Sequence, residues 1–399
     1  MTPIEPRPGR PAARRARVPD RPPPRLLLNL TAYDALASGA RERALGLASA
    51  LLRLGAEVSV AEARGADLAA LVALPAPGAP LRVHRTSLDP GRPVVRALRS
   101  GAVLRALLAE ERPDAFLTDF YPAPRVRGVR TVVTVHDLRY LSPSVGRRPV
   151  RAAWFHAAYG RTLRAADLVV TPSEFTRREV VERLGADPAR VAVVPNAVPE
   201  ALRRRPGPEA AAARERLDLP RRPYLLALGV LERRKNLHRL LEALALLHAR
   251  GEEAPPLVIA GRGGPEERRL RATAANLLPE SAVHWAGYVR PADLPAVYAG
   301  ARALVHPATY EGFGMPVVEA MAQGVPVACA DAAALPEAAG GAAVLFDPTD
   351  AGAIAHAVGL AVSDDRLRRR LVALGEDRVR ALTFDASAAR LLDAAGLRA

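Results

Sequence analysis

Residues 303–326 read Ala303-Leu304-Val305-His306-Pro307-Ala308-Thr309-Tyr310-Glu311-Gly312-Phe313-Gly314-Met315-Pro316-Val317-Val318-Glu319-Ala320-Met321-Ala322-Gln323-Gly324-Val325-Pro326. The apolar run at 303–305 has the length of a short buried strand. His306-Pro307 ends it, because proline brings no N–H to a sheet ladder and restrains the residue before it. Gly312 and Gly314 flank Phe313 in a loop, Pro316 opens a helix as its first residue, and Gly324 closes it. Strand, glycine loop and helix N-terminus in this order make a corner with free backbone N–H groups, suited to anions and other polar ligands. Glu311 stands before the loop and Glu319 is read into the first helical turn, eight positions later. Carboxylates accept hydrogen bonds from hydroxyls and glycines let a ligand reach the backbone, a combination that suits a sugar. In isolation the same residues also fit a tight turn followed by an acid at the positive end of a helix.

The chain around this corner has 399 residues, enough for two or three domains with ample core. It is 49% hydrophobic and 25% charged, the proportions of a globular protein. No apolar stretch reaches the length of a membrane span, and the arginine- and proline-rich N-terminus lacks the apolar core of a signal peptide. A cytoplasmic location at the inner face of the plasma membrane is the expectation. The formal net charge is +15, and residues 1–25 hold seven arginines against Glu5 and Asp20, which predicts a disordered basic tail over 1–24. Aromatic content is only 4% and no basic stretch is interleaved with aromatics, so the excess charge points to an anionic membrane surface rather than to specific nucleic acid. The single cysteine, Cys329, excludes an internal disulfide and reads as a buried, inert thiol. The 57 basic residues include one lysine, Lys235. A chain that uses arginine everywhere else and keeps one compact ammonium suggests a site that needs it.

Apolar periodicity repeats the strand–helix unit along the chain. Strands are read at 25–30, 58–61, 115–118, 131–135, 168–171 and 191–194, with helices at 40–54, 95–111, 150–165 and 173–184. The first strand and helix are joined through the small pair Ser38-Gly39, without a Gly-x-Gly-x-x-Gly fingerprint. Residues 195–223, rich in proline, alanine and arginine, interrupt the rhythm as a connection. It resumes with strands at 224–228, 257–260, 282–285, 303–305, 325–328 and 343–346. Between and after these come helices, one of them N-capped by Asn236 and others running from 350 to the end. Alternation of this kind gives an α/β protein of two doubly wound, Rossmann-like parallel sheets facing across a cleft, where ligands sit.

Arg234 and Lys235 directly precede a helix N-terminus at the carboxyl end of a strand, where two cations and free N–H groups could hold a diphosphate. A solvated basic loop is the alternative. His136 follows the strand 131–135 at once, placed to hydrogen-bond a sugar hydroxyl or position an acceptor; the alternative is a structural histidine held by Asp137. His306, ahead of Pro307, reads as structural. The remaining histidines form no ligand spacing and there is no Asp-x-Asp pair, so no bound metal is expected.

With these stretches in view, the chain resembles the family 4 (group 1) retaining glycosyltransferases of the two-domain GT-B fold. Glu311-Gly312-Phe313-Gly314-Met315-Pro316-Val317-Val318-Glu319 is similar to that family's E-x7-E signature, and Leu231-Glu232-Arg233-Arg234-Lys235-Asn236-Leu237 to its phosphate-binding stretch. Further matches in family order are Thr134-Val135-His136-Asp137-Leu138, Thr171-Pro172-Ser173-Glu174-Phe175-Thr176, Val193-Val194-Pro195-Asn196, Gly287-Tyr288-Val289-Arg290 and residues 334–340. The resemblance implies an acceptor domain at 25–196, a connection at 197–222, a donor domain at 223–375 and a helix at 376–399 packing back on the acceptor domain. It also implies roles. Arg234 and Lys235 bind the nucleotide diphosphate, Glu319 the ribose, and Glu311 with the backbone of 312–315 the donor sugar. His136 faces the sugar, and Ser38-Gly39 lie near phosphate or acceptor. Val230, Ala197 and Ala308 depart from the residues usual at their positions.

The activity so implied is transfer of a sugar from a nucleotide diphosphate donor to a hydroxyl acceptor. The anomeric configuration is retained, no cofactor beyond the co-substrate is needed, and the setting is cell-surface polysaccharide or glycolipid synthesis with lipid-linked glycan as acceptor. Two alternatives stay open at this point. One is a nucleotide-sugar epimerase or phosphorylase of the same fold, and the other a non-catalytic basic binding protein.

Overall fold

Short apolar runs become strands buried on both faces, which is what helices on either side of a parallel sheet require. The computed structural model describes residues 22–33, 38–75, 81–89, 91–120, 123–142, 149–203, 207–252, 254–264 and 266–398. In the first half the elements are β1 (Arg25–Asn29), α1 (Gly39–Arg53), β2 (Glu57–Glu62), β3 (Leu81–Arg85), α2 (Pro93–Glu111), β4 (Ala115–Thr118) and β5 (Arg130–Thr134). They continue with α3 (Pro149–Ala165), β6 (Leu168–Thr171), α4 (Glu174–Leu184) and β7 (Val191–Val193). After α5 (Glu209–Arg216) the second half runs β8 (Tyr224–Leu228), α6 (Leu237–Ala249), β9 (Leu257–Ala260), α7 (Glu267–Leu277), β10 (Val283–Gly287), α8 (Leu294–Ala299) and β11 (Ala301–His306). The chain ends α9 (Met315–Ala322), β12 (Val327–Ala330), α10 (Leu335–Ala339), β13 (Val344–Phe346), α11 (Ala351–Ser363), α12 (Asp365–Arg380) and α13 (Phe384–Ala394).

Two sheets result, ordered β3-β2-β1-β4-β5-β6-β7 and β10-β9-β8-β11-β12-β13, and every ladder is parallel. Strand order reverses beside β1 in one sheet and beside β8 in the other, and crevices open at the carboxyl ends of strands at such points. One apolar core surrounds the second sheet, around Tyr224, Leu240, Val258, Val305 and Ile354. Three clusters line the first sheet. The largest of these takes in Ala388, Leu391, Leu392 and Ala395, so α13 returns from the second half to pack on α1. An exposed Arg53–Asp385 ion pair joins the same two helices; on such a surface it adds little, about 0–1 kcal/mol.

The α/β expectation holds, with local corrections. β3 and α10 were not read: β3 is a half-exposed edge strand, Leu81-Arg82-Val83-His84-Arg85, and α10 is a single short turn inside a loop. Asn236 occupies the N-cap position of α6 in the left-handed conformation and makes no capping bond. Its amide instead donates to the Pro348 carbonyl at 2.7 Å. α9 starts at Met315, so Pro316 is its second residue and Glu319 lies in the second turn, not the first. Cys329 is fully buried in β12, where burial pushes the thiol up to about 12. The basic tail falls largely outside the described residues.

Candidate active site

The carboxyl ends of β1, β4 and β5 on one side and of β8, β9 and β11 on the other face a cleft of about 1910 Å³. Every site residue read from the sequence lines it: Ser38, Gly39, His136, Arg234, Lys235, Glu311, Gly312, Phe313, Gly314, Met315 and Glu319.

On the second-sheet side, the loop after β11 is pinned to the loop after β8 by the Thr309 N–H, which donates to the Arg234 carbonyl at 2.8 Å. This brings Glu311 onto both cations. Its Oε1 is 2.6 Å from Lys235 Nζ, 2.9 Å from Arg234 Nη1 and 3.4 Å from His306 Nε2. Arg234 is fixed further by Glu232 Oε2 at 2.8 Å and by the Tyr310 carbonyl at 3.1 Å. Burial alone would push the Glu311 carboxyl up, but Lys235, His306 and Arg234 together hold it well below the usual carboxylate range. His306 goes the other way, since burial and the neighbouring Lys235 charge lower it and keep the ring neutral. Lys235 lies across the backbone at Gly229, whose φ is +136°, and a Cβ there would sit 2.8 Å from the ammonium. Only glycine therefore fits beneath the lysine.

Glu319 points into the same corner from α9 and is 9% exposed. The Tyr298 hydroxyl donates to its Oε2 at 2.8 Å. Burial pushes the Glu319 carboxyl up, against that hydrogen bond and the Lys235 charge. Phe313 turns into the core, leaving only its backbone for a ligand. The Gly312 carbonyl is already taken, accepting from Ser173 Oγ at 2.7 Å and Thr176 Oγ1 at 3.0 Å.

A family model for glycosyl transferases group 1 matches residues 210–378, and one for glycosyltransferase family 4 matches residues 37–202. The O-antigen chain mannosyltransferase B of Escherichia coli is 30% identical over 257 residues, covering 64% of this chain and 67% of that protein. The chain belongs to glycosyltransferase family 4. Its fold is GT-B. Sucrose-phosphate synthase from Thermosynechococcus elongatus superposes with a TM-score of 0.71 at 21% identity, over 92% of this chain and 97% of that one. Anabaena HepE, solved in complex with UDP-glucose, gives 0.69 at 18% identity, over 92% and 99%. At these identities the two structures speak to fold alone.

In this family 4 transferase, the first-sheet side of the cleft holds groups that sequence reading did not find. His136 is not held by Asp137; its Nε2 lies 3.0 Å from Asp119 Oδ2, which also accepts from the Tyr33 hydroxyl at 2.7 Å. Burial would raise Asp119, but His136, Arg43 and Tyr33 outweigh it and keep the carboxylate ionised. An ionised carboxylate only accepts, so Nε2 of His136 carries a proton and donates it in this hydrogen bond, which orients the ring. Asp119 follows β4 as His136 follows β5, and that shared position was the signal available. Arg43, the second omission, is a charge on the buried stripe of α1. Ser38 caps α1, its Oγ accepting from the Arg41 N–H at 3.2 Å. Among the described residues no three of His, Cys, Asp and Glu gather into a set that could hold a metal ion. No described helix is long and apolar enough to cross a membrane.

Proposed function

We propose that this transferase moves a sugar from a nucleotide diphosphate donor to a hydroxyl acceptor with retention and without a metal, in cell-surface polysaccharide or glycolipid synthesis. The observation that carries the reading is the paired cations Arg234 and Lys235, gathered on Glu311 at the carboxyl end of β8 and open to the cleft. In the unliganded protein Glu311 pairs with both, and Glu232 pairs with Arg234 as well. An arriving diphosphate takes over the two cations and frees Glu311 to accept hydrogen bonds from the sugar, while Glu319 accepts from the ribose. Phe313, Gly314 and Met315, around the start of α9, line the same cleft, and N–H groups at a helix start favour an anionic ligand. The UDP-glucose bound to the structural neighbour and the mannosyltransferase named among the relatives support a donor of this class.

In the reaction, the bond from the anomeric carbon to the diphosphate oxygen breaks and the acceptor oxygen bonds to the same face. The acceptor proton passes to the departing phosphate. Negative charge grows on the diphosphate, and Arg234 and Lys235 stabilise it, Arg234 held by Glu232 and the Tyr310 carbonyl and Lys235 by its seat against Gly229. His136, oriented by Asp119, lies across the cleft as hydrogen-bond partner of a sugar hydroxyl. Contact with an anionic membrane face belongs to the same proposal and rests on the net charge of +15.

Thermal shift against UDP-, GDP- and ADP-sugars tests the donor. A ligand at about 100 times its Kd adds about 2.7 kcal/mol to stability, and a panel in which no nucleotide sugar shifts the melting temperature overturns the reading. Asp119→Asn is expected to lower kcat about tenfold with donor Kd unchanged, because an amide can present N–H to His136 and favour the wrong tautomer. Steady-state kinetics beside donor titration checks this; a matching loss of donor affinity would make Asp119 merely structural.

A further inference from the structure

Each acid of the second-sheet corner rests on a support, and only one of the two supports is complete. Glu319 has the Tyr298 hydroxyl, a neutral donor buried in α8, at 2.8 Å. Glu311 has Lys235 and Arg234, which line the cleft, and the ring of His306, which does not. His306 is 2% exposed, yet its Nε2 has no hydrogen-bond partner. It stops 3.4 Å from Glu311 Oε1, just beyond a normal hydrogen bond. An unpaired polar atom at this depth is costly to the fold and calls for a reason. The ring stands on a rigid seat, since β11 pairs His306 with Cys329 of β12 and Pro307 restrains its backbone. Burial and the Lys235 ammonium lower its pKa, so it carries no charge at neutral pH. A neutral ring has one N–H to give, and the ionised Glu311 only accepts.

We propose that His306 is a positioning residue for the donor sugar: with its proton on Nε2, it closes onto Glu311 when the diphosphate draws Lys235 and Arg234 away, and holds that carboxylate turned to the sugar. The assignment rests on the donor reading given above. In that reading Glu311 gives up its two cations just as the sugar covers it, and burial alone favours its protonated form. A protonated Glu311 would lose half its capacity to accept from hydroxyls. A neutral donor is what this moment requires. A cation at position 306 would be drawn to the diphosphate with the other two, whereas the uncharged ring stays with the acid. The movement is small, a shift of about 0.5 Å from the present separation to hydrogen-bond length. His306 then does for Glu311 what the Tyr298 hydroxyl already does for Glu319.

Calorimetric titration of a nucleotide sugar beside its bare nucleotide, UDP-glucose with UDP and GDP-mannose with GDP, is the direct test. Bare nucleotide leaves Glu311 open to water and makes no demand on His306. His306→Phe fills the same space without a donor, and it should weaken the nucleotide sugar about tenfold while leaving the bare nucleotide unchanged. His306→Gln, whose amide N–H reaches the position of Nε2, should recover most of the loss. A His306→Phe protein with the wild-type ratio of the two affinities overturns the proposal, and so does an equal fall in the Phe and Gln variants. Nitrogen NMR of isotope-labelled histidines reads the same contact in the unmodified protein, where no variant has to fold. The buried ring should show a slowly exchanging N–H on Nε2 that moves downfield when the nucleotide sugar binds. A proton on Nδ1 in the loaded protein overturns the assignment. Failure of all four nucleotides to bind removes the donor reading, and this assignment with it, whereas normal binding with an unchanged ratio removes the role of His306 alone.

Discussion

Replacing Lys235 with alanine is expected to lower turnover about a hundredfold, equivalent to about 3 kcal/mol of transition-state stabilisation. Stability should fall far less. Glu311 keeps Arg234 Nη1 at 2.9 Å and His306 beside it, so its carboxylate is not left alone in the fold, and a loss of about 1–2 kcal/mol is the scale for one such contact. Lys235→Arg should not rescue the rate. The lysine stem crosses Gly229 so closely that even a Cβ there would stand 2.8 Å from both Cε and Nζ, and a planar guanidinium has no room to lie in that groove. Lys235→Met keeps the stem and removes the charge, and it should behave like alanine. Initial rates and nucleotide affinity measured on the three purified variants decide the matter. Wild-type turnover in Lys235→Ala would remove the ammonium from the leaving-group role.

The importance of that position was legible because it is the one lysine in a chain with 57 basic residues. The same holds for the main architecture. Strands such as Tyr224–Leu228 and Leu257–Ala260 are uninterrupted apolar runs bounded by glycine, proline or charge, and their ends mark where side chains enter the cleft. What sequence could not supply were contacts made by distant parts of the chain. Asp119 and Tyr33 lie 86 positions apart and meet only because β1 and β4 are neighbours in the sheet. Without that pairing, nothing separates Asp119 from Asp137 as the partner of His136. Phe313 looked like part of a ligand loop, yet its ring fills the core of the second half, a choice set by the packing around α9 and β12. Asn236 has the residue type of a helix cap, but its left-handed backbone aims the amide at the Pro348 carbonyl instead. In each case the local signal was real and a tertiary partner decided its use.

Gly312→Ala should be almost as damaging as loss of the lysine, for a reason that involves no charge. A Cβ at Gly312 would lie 2.0 Å from the His136 carbonyl oxygen and 2.9 Å from Asp137 Cβ, both on the opposite side of the cleft. The backbone here is where the two halves touch. The Gly312 carbonyl accepts from Ser173 and Thr176 at the start of α4, and the Tyr310 hydroxyl accepts from the Leu138 N–H at 3.0 Å while also meeting Glu179. Nearby, the Glu337 carboxylate takes the N–H groups of Glu174 and Phe175 at 2.9 and 3.2 Å. A methyl group cannot enter without parting these contacts, so it moves His136 away from the corner that holds Glu311. A displacement of about 1 Å between reacting groups costs on the order of a hundredfold in rate, and overpacking of this kind costs about 1–3 kcal/mol in stability. Donor affinity should fall far less than turnover, because Arg234, Lys235 and Glu319, which hold the nucleotide, all belong to the second half, and only the sugar contacts of the 312–315 backbone are disturbed. Gly359→Ala serves as control: nothing lies within 4 Å of its Cβ in α11, and it should stabilise by about 0.5–1 kcal/mol with normal kinetics. The separating measurement is kcat beside donor Kd, with small-angle scattering to detect a wider cleft in Gly312→Ala. Wild-type turnover and an unchanged radius of gyration in that variant would mean that contact between His136 and the Gly312 loop is not needed for transfer, and the first half would then act on the acceptor without closing on the donor.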